Sequence, residues 1–175
     1  MNKAAITIVF SLILLGCTQP SPEQAATPAA KAFMGIKLAS ISSEIPSGWT
    51  KGTDDGIDLA YSNGKGASYL FSSIPMDGDT LDVFGGKELN GFDLESKLTP
   101  LEISFAQNGK VSKIGGKDWY VGCYSLIDES GTAFEQCTSF TACGDNAGSV
   151  LITAGQGKLE ALLPGYQHAL ETFKC

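Results

Sequence analysis

Residues 111–140, VSKIGGKDWYVGCYSLIDESGTAFEQCTSF, contain two β-hairpin signals in succession. Gly115-Gly116 separates the first two strand-like runs, and Glu129-Ser130-Gly131 separates the second run from a third. Glycine readily adopts the positive φ values that short hairpin turns require. A three-residue turn at 129–131 places Cys123 directly opposite Cys137 on the neighbouring strand. The stretch therefore predicts an antiparallel meander in which these two cysteines face each other.

Further strands are predicted on both sides of this meander. Asn63-Gly64-Lys65-Gly66 is a strong turn signal between two apolar or aromatic runs, residues 57–62 and 67–73. Residues 149–154 give one more strand, and residues 33–43 form a first strand or an entry segment. The 21 glycines agree with a fold of many turns and short strands.

Two helices are predicted. Residues 158–173 carry apolar side chains at helical spacing, and Pro164-Gly165 must kink or restart that helix; the predicted buried face comprises Leu159, Leu162, Leu163, Tyr166, Leu170 and Phe173. A shorter helix is predicted over residues 100–107, with Thr99 as N-cap and Glu102 completing a capping box. Residues 75–86 look loop-like. The predicted fold class is α+β: a mainly antiparallel sheet of hairpins with a short middle helix and a C-terminal amphipathic helix packed on it.

The N-terminal residues have the pattern of an export signal. Residues 4–15 are almost entirely apolar, but Pro20 and Pro22 follow too soon for the about 20 residues that a membrane-spanning helix needs. The run closes on Leu14-Leu15-Gly16-Cys17, which resembles the lipobox of bacterial lipoproteins. The resemblance implies a signal peptide over residues 1–16 and a lipid (diacylglycerol and palmitate) on Cys17. Thr18 in place of Asp implies sorting to the outer membrane.

The residues after Cys17 divide into a predicted tether and a predicted domain. Residues 17–33 are rich in Pro, Ala, Gln and Ser and cannot bury a core, whereas residues 34–175 suffice for one globular domain. The mature protein is then expected at the outer membrane, facing the periplasm. The alternative is an uncleaved hydrophobic segment with a free Cys17 thiol.

Charge composition limits the choice of partner. The chain has no arginine, 12 lysines and 19 acidic residues, giving a formal net charge of -7. Nucleic-acid binding relies on clustered Lys and Arg, and base recognition relies heavily on Arg. No nucleic-acid partner is therefore expected.

Four cysteines remain besides Cys17. An even number in an exported chain indicates two disulfides, for which three connectivities are possible. The hairpin register favours Cys123 with Cys137, which leaves Cys143 near the last strand to pair with Cys175 at the end of the terminal helix. A zinc site is disfavoured because there is no Cys-x-x-Cys motif and only one histidine.

No catalytic, cofactor-binding or metal-binding residue is predicted. His168, the single histidine, lies on the terminal helix and is interpreted as a packing or surface residue. Asp77, Asp79 and Asp82 lack the ligand spacing of a calcium loop and are interpreted as a solvated acidic turn. Residues 53–58 receive the same interpretation.

The order of features from Pro46-Ser47-Gly48-Trp49, through the paired hairpins, to a final helix ending Leu170-Glu171-Thr172-Phe173 resembles the PsbP-like fold, which also occurs in small DcrB-like lipoproteins. The resemblance implies a non-enzymatic binding or accessory module. The first functional hypothesis is thus a lipid-anchored envelope protein with an envelope protein as partner. Two alternatives are an anchored inhibitor or immunity protein that uses its acidic surface against a basic enzyme or toxin, and an envelope hydrolase. The hydrolase would require a Ser or Thr hydroxyl and a carboxylate at His168.

Overall fold

In the computed structural model, residues 32–54, 58–91, 98–127 and 130–175 are described. These residues form ten β-strands and two α-helices. The strands are β1 (Phe33–Leu38), β2 (Ile41–Pro46), β3 (Thr50–Asp54), β4 (Asp58–Ser62), β5 (Ala67–Pro75), β6 (Thr99–Pro100), β7 (Lys110–Ile114), β8 (Lys117–Ile127), β9 (Ala133–Cys143) and β10 (Asn146–Gly155). The helices are α1 (Leu81–Gly91) and α2 (Leu163–Thr172), and a 3-10 turn, Glu160–Leu162, precedes α2.

Eight of the described strands form one antiparallel sheet. Its order is β3-β4-β5-β10-β9-β8-β6, with β7 also paired to β8, while β1 and β2 form a separate hairpin. The predicted register of the central hairpin is confirmed, because Cys123 lies opposite Cys137. The turn residues Asp128 and Glu129 lie outside the described part of the chain.

The larger core lies between one face of this sheet and a layer made of α2 and the β1–β2 hairpin. Trp119 on β8 packs edge-on against Phe173, with ring centroids 5.1 Å apart, and Tyr69 on β5 stacks on Tyr166 at 6.4 Å. The hairpin is tied to the C-terminus by reciprocal backbone hydrogen bonds between Ser42 and Lys174 of 2.9 and 2.7 Å. This layer therefore holds α2 against the middle of the sheet.

The second core lies on the opposite face of the sheet, under α1. Side chains alternate between faces along a strand, so Tyr120 points away from Trp119 and towards α1. Phe84 on α1 packs edge-on against Phe140 of β9, with centroids 5.4 Å apart. Gly85 contacts Tyr120 so closely that a Cβ atom would overlap its ring. The α+β prediction is confirmed, with one helix on each face of the sheet.

The predicted position of the middle helix is wrong. Residues 100–107 are not helical: Pro100 belongs to the short strand β6 beside β8, and residues 104–106 form a bend. Between them, Leu101 N–H donates to the Cys123 carbonyl at 2.9 Å and prolongs the pairing with β8. The middle helix is α1, which begins within the stretch predicted as a loop. Thr80 starts it, because its carbonyl accepts the first helical bond, from Phe84 N–H at 2.8 Å.

The ends of the domain follow the sequence more closely. The terminal helix is confirmed, and it restarts at Leu163 with a proline in its first turn, as the Pro164-Gly165 pair predicted. Residues 33–43 contain β1 and the start of β2, separated by a turn at Ala39. Cys17, the signal peptide and nearly all of the predicted tether lie outside the described residues. No helix among the described residues is long and apolar enough to cross a membrane.

Candidate binding groove

A groove of about 450 Å³ opens at the side of the domain, between segment 101–105 and the beginning of α2. Its remaining wall comes from the 3-10 turn before α2 and from Glu135 on β9. A volume of this size lies within the range of about 300 to 1,000 Å³ that is usual for ligand pockets. We call this feature the acidic groove, and it is lined by residues 101–105, Glu135, Gly157, Leu159, Glu160, Leu163, Pro164 and Gln167.

The first wall is held in place by an asparagine side chain. Asn108 Nδ2 donates to the Cys123 carbonyl at 2.7 Å, and Asn108 Oδ1 accepts from Cys123 N–H at 2.7 Å. The same amide nitrogen reaches the Leu101 carbonyl at 3.1 Å. The amide thus acts as a strand partner for β8 and ties the preceding segment, at Leu101, to that strand.

Half-buried and exposed side chains alternate along segment 101–105. Leu101, Ile103 and Phe105 are half-buried and pack against the main core, while Glu102 and Ser104 are exposed. The alternation produces an apolar wall with a carboxylate and a hydroxyl at its outer edge.

The second wall is anchored to the sheet by a carboxylate. Glu135 Oε2 accepts a hydrogen bond from Leu159 N–H at 3.0 Å, which joins β9 to the turn before α2. Leu159 is buried, Leu163 is half-buried and Pro164 is exposed, so this wall is also mainly apolar. Glu160 stands exposed at its edge.

Three carboxylates therefore surround an apolar floor: Glu102, Glu135 and Glu160. The lining includes no lysine, and within the described part of the chain none of the three carboxylates forms an ion pair. A groove of this composition suits a ligand that is apolar over most of its surface and positively charged at one point. The lining contains neither histidine nor cysteine.

His168 lies half-buried on α2, close to the acidic groove but not in its lining. Its Nε2 atom is 2.9 Å from Glu44 Oε2, and its ring stacks on Phe33 with centroids 3.8 Å apart. The Thr172 hydroxyl donates to the His168 backbone carbonyl at 2.9 Å instead of contacting the imidazole. Among the described residues no hydroxyl joins the ring, so the arrangement that the hydrolase hypothesis required is not assembled there.

The acidic residues near the start of α1 have different local roles, although Asp77 and Asp79 line one shallow pocket together with Asp145. Asp77 sits in a turn with φ 51°, Asp79 pairs with Lys87 at 2.7 Å, and Asp82 lies in the first turn of the helix. A carboxylate in the first turn of a helix is favourable next to the positive end of the helix dipole. Over the described ranges no group of three or more His, Cys, Asp or Glu side chains is arranged to hold a metal ion.

The structure joins the four remaining cysteines in the pairs that the sequence favoured. Cys123 and Cys137 bridge neighbouring strands with Cα atoms 4.1 Å apart. Cys143 and Cys175 have Cα atoms 5.5 Å apart and tie the C-terminal residue to the end of β9. Both bridges are structural supports outside the groove lining.

The groove residues were not predicted as a site. The alternation of apolar and polar residues over 101–105 was a usable strand signal, but helical leucine spacing and a capping box suggested a helix there instead. Glu135 and Glu160 are 25 positions apart in the sequence. They line the same groove only because the β9–β10 hairpin brings the end of β10 back beside the start of β9. No local pattern could have brought these two carboxylates together.

Fold and groove together define an antiparallel α+β domain with a lateral groove. No protein-family model matches the sequence, and no curated protein matches it. Several solved structures share the fold. The cyanobacterial PsbP protein CyanoP of Synechocystis sp. PCC 6803 superimposes with a TM-score of 0.56 at 11% identity, covering 88% of this chain and 99% of that one.

Two further solved structures with this fold belong to proteins whose described roles differ from each other. The Ran-binding protein Mog1p of Saccharomyces cerevisiae gives a TM-score of 0.55 at 12% identity, covering 81% of this chain and 94% of that one. LpqN of Mycobacterium tuberculosis, described as involved in cell envelope biogenesis, gives 0.50 at 10% identity, covering 81% and 89%. At such identities the likeness establishes the fold alone, and the PsbP-like fold is among those that the chain resembles.

Proposed function

We propose that this chain is a lipid-anchored protein of the bacterial cell envelope that binds another envelope component through the acidic groove, without catalysing a reaction. The observation that carries the proposal is the groove itself: an apolar floor rimmed by three carboxylates that form no ion pair with any of the described residues. Charges without an ionic partner beside an open apolar surface favour recognition, since a binding partner can supply opposite charge and apolar contacts at the same time.

Two of the structures that share the fold support a binding or envelope role. Mog1p is described as Ran-binding, and LpqN as taking part in cell envelope biogenesis. Both roles fit an accessory protein that acts by contact. The lipobox-like Leu14-Leu15-Gly16-Cys17 supports an anchor, with the outer membrane as the expected location. Two or more acyl chains on Cys17 would hold the protein stably at a membrane.

The position of the groove fits an anchored binder. The domain begins at Phe33, which stacks on His168 of α2, and the preceding residue on that helix, Gln167, lines the acidic groove. A tether ending at Phe33 would therefore join the domain next to α2, the helix that forms one wall of the acidic groove.

The inhibitor or immunity role is not proposed as a second function. It depended on Asp77, Asp79 and Asp82 as an acidic binding surface, and Asp79 of this set already pairs with Lys87 at 2.7 Å.

Anchoring and binding are tested in one set of strains. The full chain is expressed with a photo-crosslinking amino acid at Gln167, in the groove, or at the exposed Asn90 on α1, across the sheet, and each version is made with Cys17 intact or with Cys17→Ser. We expect radiolabelled palmitate on the Cys17 chain only, and a discrete crosslinked product from position 167 that depends on the anchor.

Two outcomes would reject parts of this proposal. Palmitate labelling that persists in Cys17→Ser would reject the anchor. Equal crosslinking from positions 167 and 90 would reject the acidic groove as the binding surface.

A further inference from the structure

We infer that the acidic groove takes a peptide segment of a partner protein in which one Lys or Arg is flanked by apolar residues. The inference rests on the proposed function and names the chemistry of its partner. Its basis is the pairing of apolar walls with unpaired carboxylates inside a single groove.

The apolar requirement follows from the walls. Ile103 and Phe105 face Leu163 and Pro164 across the groove, and none of these four side chains is fully buried in the domain core. Aliphatic or aromatic ligand side chains between them would remove apolar surface from water on both partners, at about 25 cal/mol for each Å². A purely hydrophilic cation would leave this surface exposed.

The cationic requirement follows from the carboxylates. The backbone N–H of Leu159 fixes one oxygen of half-buried Glu135, while Glu102 and Glu160 stand at the two outer edges. A ligand ammonium or guanidinium entering between the walls meets negative charge from both sides, and Arg can bind a carboxylate with two parallel hydrogen bonds. An acidic ligand would meet three like charges and no compensating lysine in the lining.

An extended peptide suits the shape. The groove is bordered along one side by segment 101–105, in which half-buried apolar residues alternate with exposed Glu102 and Ser104. A ligand with the same alternation can present apolar side chains to the walls and its basic side chain to the carboxylates.

The test uses three fluorescently labelled nonapeptides that differ only in these features. GSLVRLVSG carries both, GSLVELVSG reverses the charge, and GSGSRSGSG keeps the charge without the apolar side chains. The full chain with its anchor is placed in nanodiscs of zwitterionic lipid, empty nanodiscs serve as the blank, and the Kd is measured by fluorescence anisotropy. We expect GSLVRLVSG to bind at least about tenfold more tightly than either of the others, and to weaken between about 50 mM and about 500 mM salt because ions screen the charges.

Matched variants assign the binding to the groove. The triple variant Glu102→Gln, Glu135→Gln and Glu160→Gln should bind GSLVRLVSG at least about fivefold more weakly. The control Asp77→Asn, Asp118→Asn and Asp145→Asn removes the same charge from residues outside the groove lining and should bind as the unaltered chain does. A second variant, Ser104→Lys, keeps all three carboxylates and should also weaken binding, whereas Asn90→Lys should not.

Failure of this inference can be distinguished from failure of the proposed function. Equal Kd values for the three peptides, or unchanged binding by both Ser104→Lys and the triple Gln variant, would overturn the inference. A partner crosslinked at position 167 through a segment lacking Lys and Arg would also overturn it, while leaving the groove as the binding surface. Loss of that crosslink would reject the proposed function itself.

Discussion

The hydroxyl of Tyr166 on α2 lies 2.9 Å from the backbone carbonyl oxygen of Val150 on β10, at a position with no solvent exposure. The same hydroxyl is 2.7 Å from Ser139 Oγ on β9. One side chain thus joins the terminal helix to two central strands. Since α2 also forms one wall of the acidic groove, this contact fixes that wall relative to the sheet.

Tyr166→Phe removes this contact without changing the shape of the core. We expect the free energy of unfolding to fall by about 1 to 2 kcal/mol, because buried hydrogen-bonding groups lose a partner. Urea denaturation at neutral pH measures the loss. Tyr61→Phe is the control, since the Tyr61 hydroxyl makes no hydrogen bond within the described ranges. It should change the free energy of unfolding by only about a few tenths of a kcal/mol. Equal effects of the two changes would contradict the role given to Tyr166.

Buried tyrosines also predict how stability depends on pH. Burial raises the pKa of both Tyr69 and Tyr166 above the ordinary value of 10.0. The folded chain then keeps phenolic protons that the unfolded chain loses, so their contribution to stability is complete below about pH 10 and declines at higher pH. Urea titrations at pH 9, 10 and 11 should show this decline.

Tyr69→Phe separates this effect from general alkaline damage. The Tyr69 hydroxyl is buried and makes no hydrogen bond within the described part of the chain, so its removal should leave stability at neutral pH unchanged or slightly higher. The decline of the free energy of unfolding above about pH 10 should become shallower in this variant. An unaltered pH profile in this variant would contradict the assignment.

The closeness of α1 to β8 depends on glycine at position 122. A Cβ atom there would overlap the side chain of Leu89, so Gly122→Ala should lower the free energy of unfolding by about 1 to 3 kcal/mol. Gly35→Ala is the control, because no atom lies within 4 Å of the added methyl group. Adding Leu89→Ala should cost less in the Gly122→Ala background than alone, and simple additivity of the two changes would refute the contact.

The bridge between Cys143 and Cys175 closes the chain over a separation of 32 residues. Replacing both cysteines by serine should cost about 3 to 4 kcal/mol on the chain-entropy account of disulfides. The pairing itself can be read by mass spectrometry of a proteolytic digest made without reduction. Peptides joining Cys123 to Cys143, or Cys137 to Cys175, would contradict the arrangement in the structure.

The parts of the fold that the sequence predicted well are local. The Gly131 turn sets the register that places Cys123 opposite Cys137, because the length of a hairpin loop determines which residues face each other. Pro164 likewise marks the restart of the terminal helix, since proline is favoured in the first turn.

The parts that failed depend on distant contacts. Helix α1 contains Gly85, Gly86 and Gly91, which have low helix propensity, yet it forms because close packing on Tyr120 and Phe140 compensates. The capping box at Thr99 predicted a helix, but Thr99 and Pro100 pair with β8 instead. The side-chain amide of Asn108, seven residues beyond Leu101, completes that pairing. The acidic groove arises from the same long-range pairing, so it could not be read from local patterns.

The central claim is that the acidic groove is the surface through which this protein binds its partner. The most direct measurement is the yield of crosslinked partner from Ser104, in the groove, relative to Asn90, on the opposite side of the sheet, in intact envelopes with the anchored chain. We expect a single product from position 104, at least several times more abundant than from position 90, and a marked decrease when Glu102, Glu135 and Glu160 are changed to Gln. Equal yields from the two positions, or a yield indifferent to the three carboxylates, would contradict the claim.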